Sequence, residues 1–214
     1  MEVKCVPGRP FDCNIYLLIE DRAVILVDAG TGRGQKRMLD GILPFLEGRE
    51  FLGTALTHEH FDHSGGARAI NERLGGEVWC GNRCARVVAG PDSLLTGSFL
   101  FGATFEPPER VTVIEGRLRV GPFDLSVIQT PGHSEGSICL FDEGSGSLFC
   151  GDLIFCDGGV GRWDLPGGDL GTLKRSISHV LELPVRALYP GHGRAEVNDP
   201  LGEMRQSASS LGEI

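Results

Sequence analysis

The chain has 214 residues, 41% apolar and 23% charged, an ordinary globular balance with enough length to bury a substantial core. Twenty Lys and Arg against 29 Asp and Glu leave a net charge of −9 with no basic run, which argues against nucleic acid as a partner. No apolar run is long enough to span a bilayer, residues 1–10 lack a signal-peptide core, and seven scattered cysteines fit a reducing compartment. A cytoplasmic protein that acts on a small molecule, without membrane partners, is expected.

Strands are predicted at residues 3–6, 15–19 and 23–27. A helix is expected from 35 to 47, with Met38, Leu39, Ile42 and Leu46 on one face and Pro44 kinking or ending it. The apolar run 51–56 reads as a strand. Ala67, Ile70 and Leu74 then mark an amphipathic helix just after Asp62-His63. Residues 78–80 form the next strand and 85–88 a short helix, followed by a Gly- and Phe-rich segment over 90–108. Strands resume at 111–114, 118–120, 125–130, 138–141 and 148–150. Leu170, Leu173, Ile177 and Leu181 define a helix over about 170–181, and 186–189 is the last strand. No linker or repeat divides the chain, so 1–214 is read as one α/β or α+β domain with helices outside packed sheets.

Three of the six histidines fall in Thr57-His58-Glu59-His60-Phe61-Asp62-His63, directly after the strand over 51–56. Such a cluster aims imidazoles and a carboxylate into one small volume, and without Cys it suits zinc, iron or manganese. His133 in Thr130-Pro131-Gly132-His133-Ser134, Asp152 in Cys150-Gly151-Asp152 and His192 in Pro190-Gly191-His192-Gly193 each follow a predicted strand beside a glycine that permits a sharp turn. Seven candidate ligands at strand ends are too many for one tetrahedral site. His179 is different: it lies within a helix and is read as structural. Asp28 is read as a partner for the outer ring nitrogen of a ligating histidine.

In this order the motifs resemble those of the metallo-β-lactamase superfamily, over nearly the whole chain from Val27-Asp28-Ala29-Gly30 onward. Thr130-Pro131-Gly132-His133-Ser134-Glu135-Gly136-Ser137, Gly151-Asp152, Gly161-Arg162-x-Asp164 and Pro190-Gly191-His192-Gly193 look most like its glyoxalase II-like (hydroxyacylglutathione hydrolase-like) branch. The resemblance implies an αββα sandwich of two mixed β-sheets flanked by helices. It implies two metal ions, zinc or alternatively iron or manganese: one on His58, His60 and His133, one on Asp62, His63 and His192, with Asp152 bridging. A hydroxide between the ions would be the nucleophile toward a thioester or ester, with Asp62 and Asp152 as catalytic carboxylates. The same branch also contains sulfur (persulfide) dioxygenases, for which the resemblance implies a single Fe²⁺ on His58, His133 and Asp152. Lactonase activity and a non-catalytic metal-binding domain are further alternatives. An acidic residue at position 60 would mark the flavodiiron type, and an inserted domain with a basic surface the nucleases; neither occurs.

Substrate groups are expected on the loop over 155–168, where Arg162, Trp163 and Asp164 are the candidates and Arg162 either clamps a carboxylate or pairs with Asp164. Phe99, Phe101 and Phe105 either wall an apolar pocket or fill core. Full-length hydroxyacylglutathione hydrolases grip glutathione with a basic C-terminal helical region. Here about twenty residues follow Gly193, with Arg194 and Arg205 the only basic ones, so weak activity on glutathione thioesters is expected. Gly30-Thr31-Gly32-Arg33-Gly34-Gln35 imitates a dinucleotide loop, but Gln35 stands where the third glycine belongs. Cys80-x-x-x-Cys84 lacks the second pair of a thiolate metal site, and Cys139 and Cys150 would pair across a hairpin only in an oxidising or thermophilic host.

Overall fold

The computed structural model describes residues 1–212. Among these residues eleven strands form two mixed sheets. The first holds β1 (Glu2–Val6), β2 (Ile15–Glu20), β3 (Ala23–Val27), β4 (Glu50–Ala55), β5 (Glu77–Cys80) and β6 (Thr112–Val113), in that order. The second holds β7 (Gly116–Val120), β8 (Phe123–Gln129), β9 (Ile138–Asp142), β10 (Ser147–Gly151) and β11 (Ala187–Pro190), in the order β11-β10-β9-β8-β7.

Alternation along the strands sorts side chains into three apolar layers. On β2, Tyr16 and Leu18 enter the layer between the sheets, while Ile15, Leu17 and Ile19 point out toward helices. On β9 and β10, Ile138, Leu140 and Phe149 face inward, while Cys139, Phe141, Leu148 and Cys150 face the other flank. Strands covered on both faces read as continuous apolar runs, which is why β3 is buried at every position. The first flank is closed by α1 (Gln35–Leu46), α3 (Ala67–Leu74) and α4 (Asn82–Val88), which contribute Met38, Ile42, Ala67, Ile70, Cys84 and Val88 to one layer. The second is closed by α5 (Leu170–Val180) and α6 (Pro200–Ser210), through Leu173, Ile177, Val180, Met204 and Ala208. This is the αββα arrangement expected of the family resembled.

The departures are local. Helix α1 runs through Pro44 to Leu46: the proline lies in the last turn, where little helix remains to be broken. The one helix expected after Asp62 is two, α2 (Phe61–Ser64) and α3, and α2 turns Asp62 and His63 toward the site. The strand expected over 111–114 shrinks to Thr112–Val113. Helix α6 had no counterpart, although Asp199 caps it by accepting from Gly202 N at 3.0 Å and Pro200 starts it. All the cysteines are free thiols; Cys139 Sγ lies 3.9 Å from the carbonyl oxygen of Cys150 rather than bonded to its sulfur. Cys80 and Cys84 are buried thiols and belong to no cluster of metal-capable side chains among the described residues.

Candidate metal centre

Five strands deliver the candidate ligands to one edge. β3 and β4 run parallel, as do β10 and β11, and β8, two antiparallel steps from β10, runs the same way as both. The loops leaving these carboxyl ends carry Asp28, the segment from His58 to His63, His133, Asp152 and His192. The open end of same-direction strands, where loops splay apart, is the natural place for a site.

The seven side chains gather in two adjoining groups. In the first, His58, His60 and His133 present ring nitrogens within 4.8 Å of one another. His60 Nδ1 lies 2.8 Å from His133 Nε2. The outer nitrogen of His133, Nδ1, donates to the carbonyl oxygen of Arg162 at 2.6 Å, which leaves Nε2 a lone pair directed inward. The hydroxyl of Thr57 donates to Asp28 at 2.9 Å, so His58 Nδ1 donates in turn to Thr57 Oγ1 at 3.1 Å. His58 Nε2 is then an inward lone pair, buried and without a hydrogen-bond partner.

In the second group, Asp62, His63, Asp152 and His192 lie equally close together. His63 Nε2 is 3.1 Å from Asp152 Oδ1, and His192 Nε2 is 3.2 Å from Asp62 Oδ2. Asp152 reaches both groups, with Oδ2 3.6 Å from His133 Nε2 and 3.5 Å from His192 Nε2. His63 Nδ1 donates to Asp28 Oδ2 at 2.8 Å, placing Asp28 where an outer partner was expected. Asp28 also accepts from Thr57 N at 2.8 Å, so one carboxylate orients His63 directly and His58 through Thr57.

The electrostatics of the groups differ in sign. Burial holds His58 well below the ordinary imidazole range, helped by the imidazoles of His63, His60 and His133. Burial pushes His60 down to about 3 and lowers His133 as well. At His192 burial acts the same way but is outweighed by the hydrogen bonds it donates to Asp152 and Asp62, and the ring is raised to about 9. At His63 burial is outweighed by its neighbours Cys13, Asp152 and Asp28, and the ring is raised. Asp152 is held well below the usual carboxylate range, because His63 and His192 overcome its burial.

These features fit metal ions. With the outer nitrogens of His58 and His133 already donating, their inner nitrogens turn lone pairs into the site, toward His60 and Asp152. Asp152 Oδ1 is buried without a well-directed hydrogen-bond partner, although His63 Nε2 lies 3.1 Å away. Bound cations would satisfy these donors, and a set of imidazoles and carboxylates without thiolate suits zinc, iron or manganese.

The supports come largely from distant chain. Asn14 Nδ2 donates to the carbonyls of Pro190 and Gly193 at 3.1 and 2.9 Å, and Tyr16 OH donates to Pro190 O at 2.7 Å, fixing the loop of His192. Sequence reasoning missed both; the available signal was a polar residue buried at the start of an apolar strand. Gly191 is required by close approach: a Cβ there would lie 2.4 Å from Asp152 Oδ1 and 2.5 Å from His63 Cε1.

Above the groups opens a cavity of about 1010 Å³, with His60, Asp62, His133, Asp152 and His192 in its floor. Leu100, Phe101, Phe155, Val160 and Leu165 supply apolar wall. Of the expected substrate residues, Arg162 lines the cavity and holds Asp164 by two bonds of 2.7 and 2.9 Å, while Trp163 and Asp164 stand outside the lining. Phe101 is wall, Phe105 is core, and Phe99 is exposed. Arg9, Phe11, Asp12 and Arg33 complete the mouth from two N-terminal loops, in which sequence reasoning singles out Asp28 but none of these four.

Comparison with known proteins agrees with this geometry. The sequence model of the Metallo-beta-lactamase superfamily matches residues 8–192. The probable metallo-hydrolase YqgX of Bacillus subtilis is 34% identical over 200 residues, covering 90% of each chain. The hydroxyacylglutathione hydrolase GloC of Haemophilus influenzae is 30% identical over 201 residues, covering 90% of this chain and 91% of its own. The crystal structure of TTHA1623 in a di-iron-bound form superposes with a TM-score of 0.79 at 31% identity, over 96% of this chain and 98% of that one.

Proposed function

The chain belongs to the metallo-beta-lactamase superfamily, and from that premise we propose that it is a binuclear metallohydrolase that cleaves a thioester or ester. The observation that carries the reading is the pair of donor groups joined by Asp152, in the floor of the cavity, with His58 Nε2 and Asp152 Oδ1 buried and unpartnered. In this reading His58, His60 and His133 hold one ion, Asp62, His63 and His192 the other, and Asp152 both; zinc is proposed, and iron is the metal of the similar di-iron structure. Bound divalent ions would supply Lewis acidity and a water acidic enough to attack near neutral pH.

The chain's own residues then do the following. Asp28, through Thr57 and directly, keeps His58 and His63 in the tautomers that face inward. The carbonyl of Arg162 does the same for His133. Asp62, partly open to the cavity, takes up the proton released on attack and returns it to the leaving thiolate or alkoxide. The apolar wall holds the acyl part. The same set contains the His58, His133 and Asp152 triad of an iron dioxygenase, so the two readings are separated by the reaction and not by the ligands.

A relative of matching length bears the name hydroxyacylglutathione hydrolase, so glutathione thioesters belong among the substrates to try. The test is release of thiol and free acid from a panel of thioesters and lactones by metal-loaded protein. The reading expects hydrolysis that a chelator abolishes and added metal restores. Oxygen uptake with persulfides, without hydrolysis of any panel member, would replace it with the oxidative reading.

A further inference from the structure

Arg9 and Arg33 line the main cavity, and with Arg37 they also line a side recess of about 160 Å³. The two spaces share Arg9, Asp12 and Arg33, so the recess adjoins the cavity at those residues. None of these three arginines forms an ion pair among the described residues. The other arginines near the floor are neutralised: Arg162 by Asp164, and Arg194 by Glu196 and Glu203. Arg33 donates through Nη2 to the carbonyl of Phe101, which fixes its guanidinium on the cavity wall and leaves further N–H groups free. The one acid in the recess, Asp12, turns a carboxylate oxygen to the Thr31 amide at 2.8 Å. Beside these charges Phe11 and Leu100 stand 82% and 55% exposed at the same mouth.

Unpaired cations gathered at one mouth of a protein of net charge −9 favour an anionic ligand over a neutral one. The planar guanidinium fork matches a carboxylate, and Asp12 in the same recess disfavours a dianion. We propose that Arg9, Arg33 and Arg37 form an anion subsite that anchors the carboxylate end of a partly apolar ester or thioester while its scissile carbonyl lies over the floor. This rests on the hydrolase reading above and places anion recognition in the N-terminal loops, not at Arg162, Arg194 or Arg205.

The test compares S-phenyl monothioglutarate with its methyl ester on metal-loaded protein. Wild type should prefer the acid by about tenfold or more in kcat/KM, the scale of a charge-assisted pair. The variant Arg9→Gln/Arg33→Gln/Arg37→Gln should lose that preference through KM. In parallel, calorimetry with glutaric acid monohexylamide, which is not cleaved, should show Kd rising at least about fivefold in this variant. Equal charge loss elsewhere, in Arg22→Gln/Arg68→Gln/Arg175→Gln, should leave Kd unchanged. An unchanged Kd in the cavity variant, with metal content and circular dichroism like wild type, overturns the subsite. Weakened binding in a protein that cleaves neither thioester would retain the subsite and discard the hydrolase reading.

Discussion

His58, His60 and His133 are imidazoles that burial keeps neutral, whereas His63 and His192 lie against two carboxylates that draw positive charge to them. The residue type is the same and the groups touch through Asp152, so neighbours alone set the difference. A cation held by three neutral imidazoles and a shared Asp152 would keep more of its charge for polarising water. A cation held by Asp62 and Asp152 would have its charge more nearly balanced and would be held more by attraction than by geometry. In this account the first group activates and the second anchors.

Removing the shared carboxylate should break both at once. Asp152→Ala should lower kcat/KM by about a thousandfold or more and bring metal content well below wild type, with circular dichroism little changed because the apolar layers lie away from the edge. Normal turnover in this variant would sink the assignment. The comparison sharpens with single ligands. His58→Ala should lower kcat by about a hundredfold while keeping close to one ion per chain. His192→Ala, at the more exposed rim, should instead raise the metal concentration needed for half-activity by about tenfold. Identical effects of the two substitutions on kcat and metal titration would erase the proposed division of labour.

Asp28→Asn probes both groups from behind. It should weaken metal binding or activity about 10–100-fold, and zinc titration should show both sites affected because Asp28 serves His63 and, through Thr57, His58. The smallest effect is expected from Gly191→Ala, whose new methyl meets Asp152 and His63. Thermal unfolding should report a loss of about 1–3 kcal/mol. An unchanged Tm would mean that the loop shifts freely.

The parts of the molecule legible in its sequence are those whose cause is local. Short continuous apolar runs announced β2, β3, β9 and β10, and the tight spacing from His58 to His63 announced a ligand cluster. His133, Asp152 and His192 stood out because each follows a strand beside glycine. What stayed hidden depends on contacts across the chain. Asn14 supports Pro190 from 176 residues away, and the mouth arginines come from loops without periodicity. Helix α6 was overlooked although its Asp199-Pro200 start was written plainly, because its apolar face is thin: Met204 and Ala208 are the buried apolar side chains after Pro200.

Elemental analysis of purified, chelator-free protein tests the central claim most directly. The account predicts about two divalent ions per chain, falling to about one in His58→Ala. One iron per chain, with no second ion taken up on titration, would contradict it.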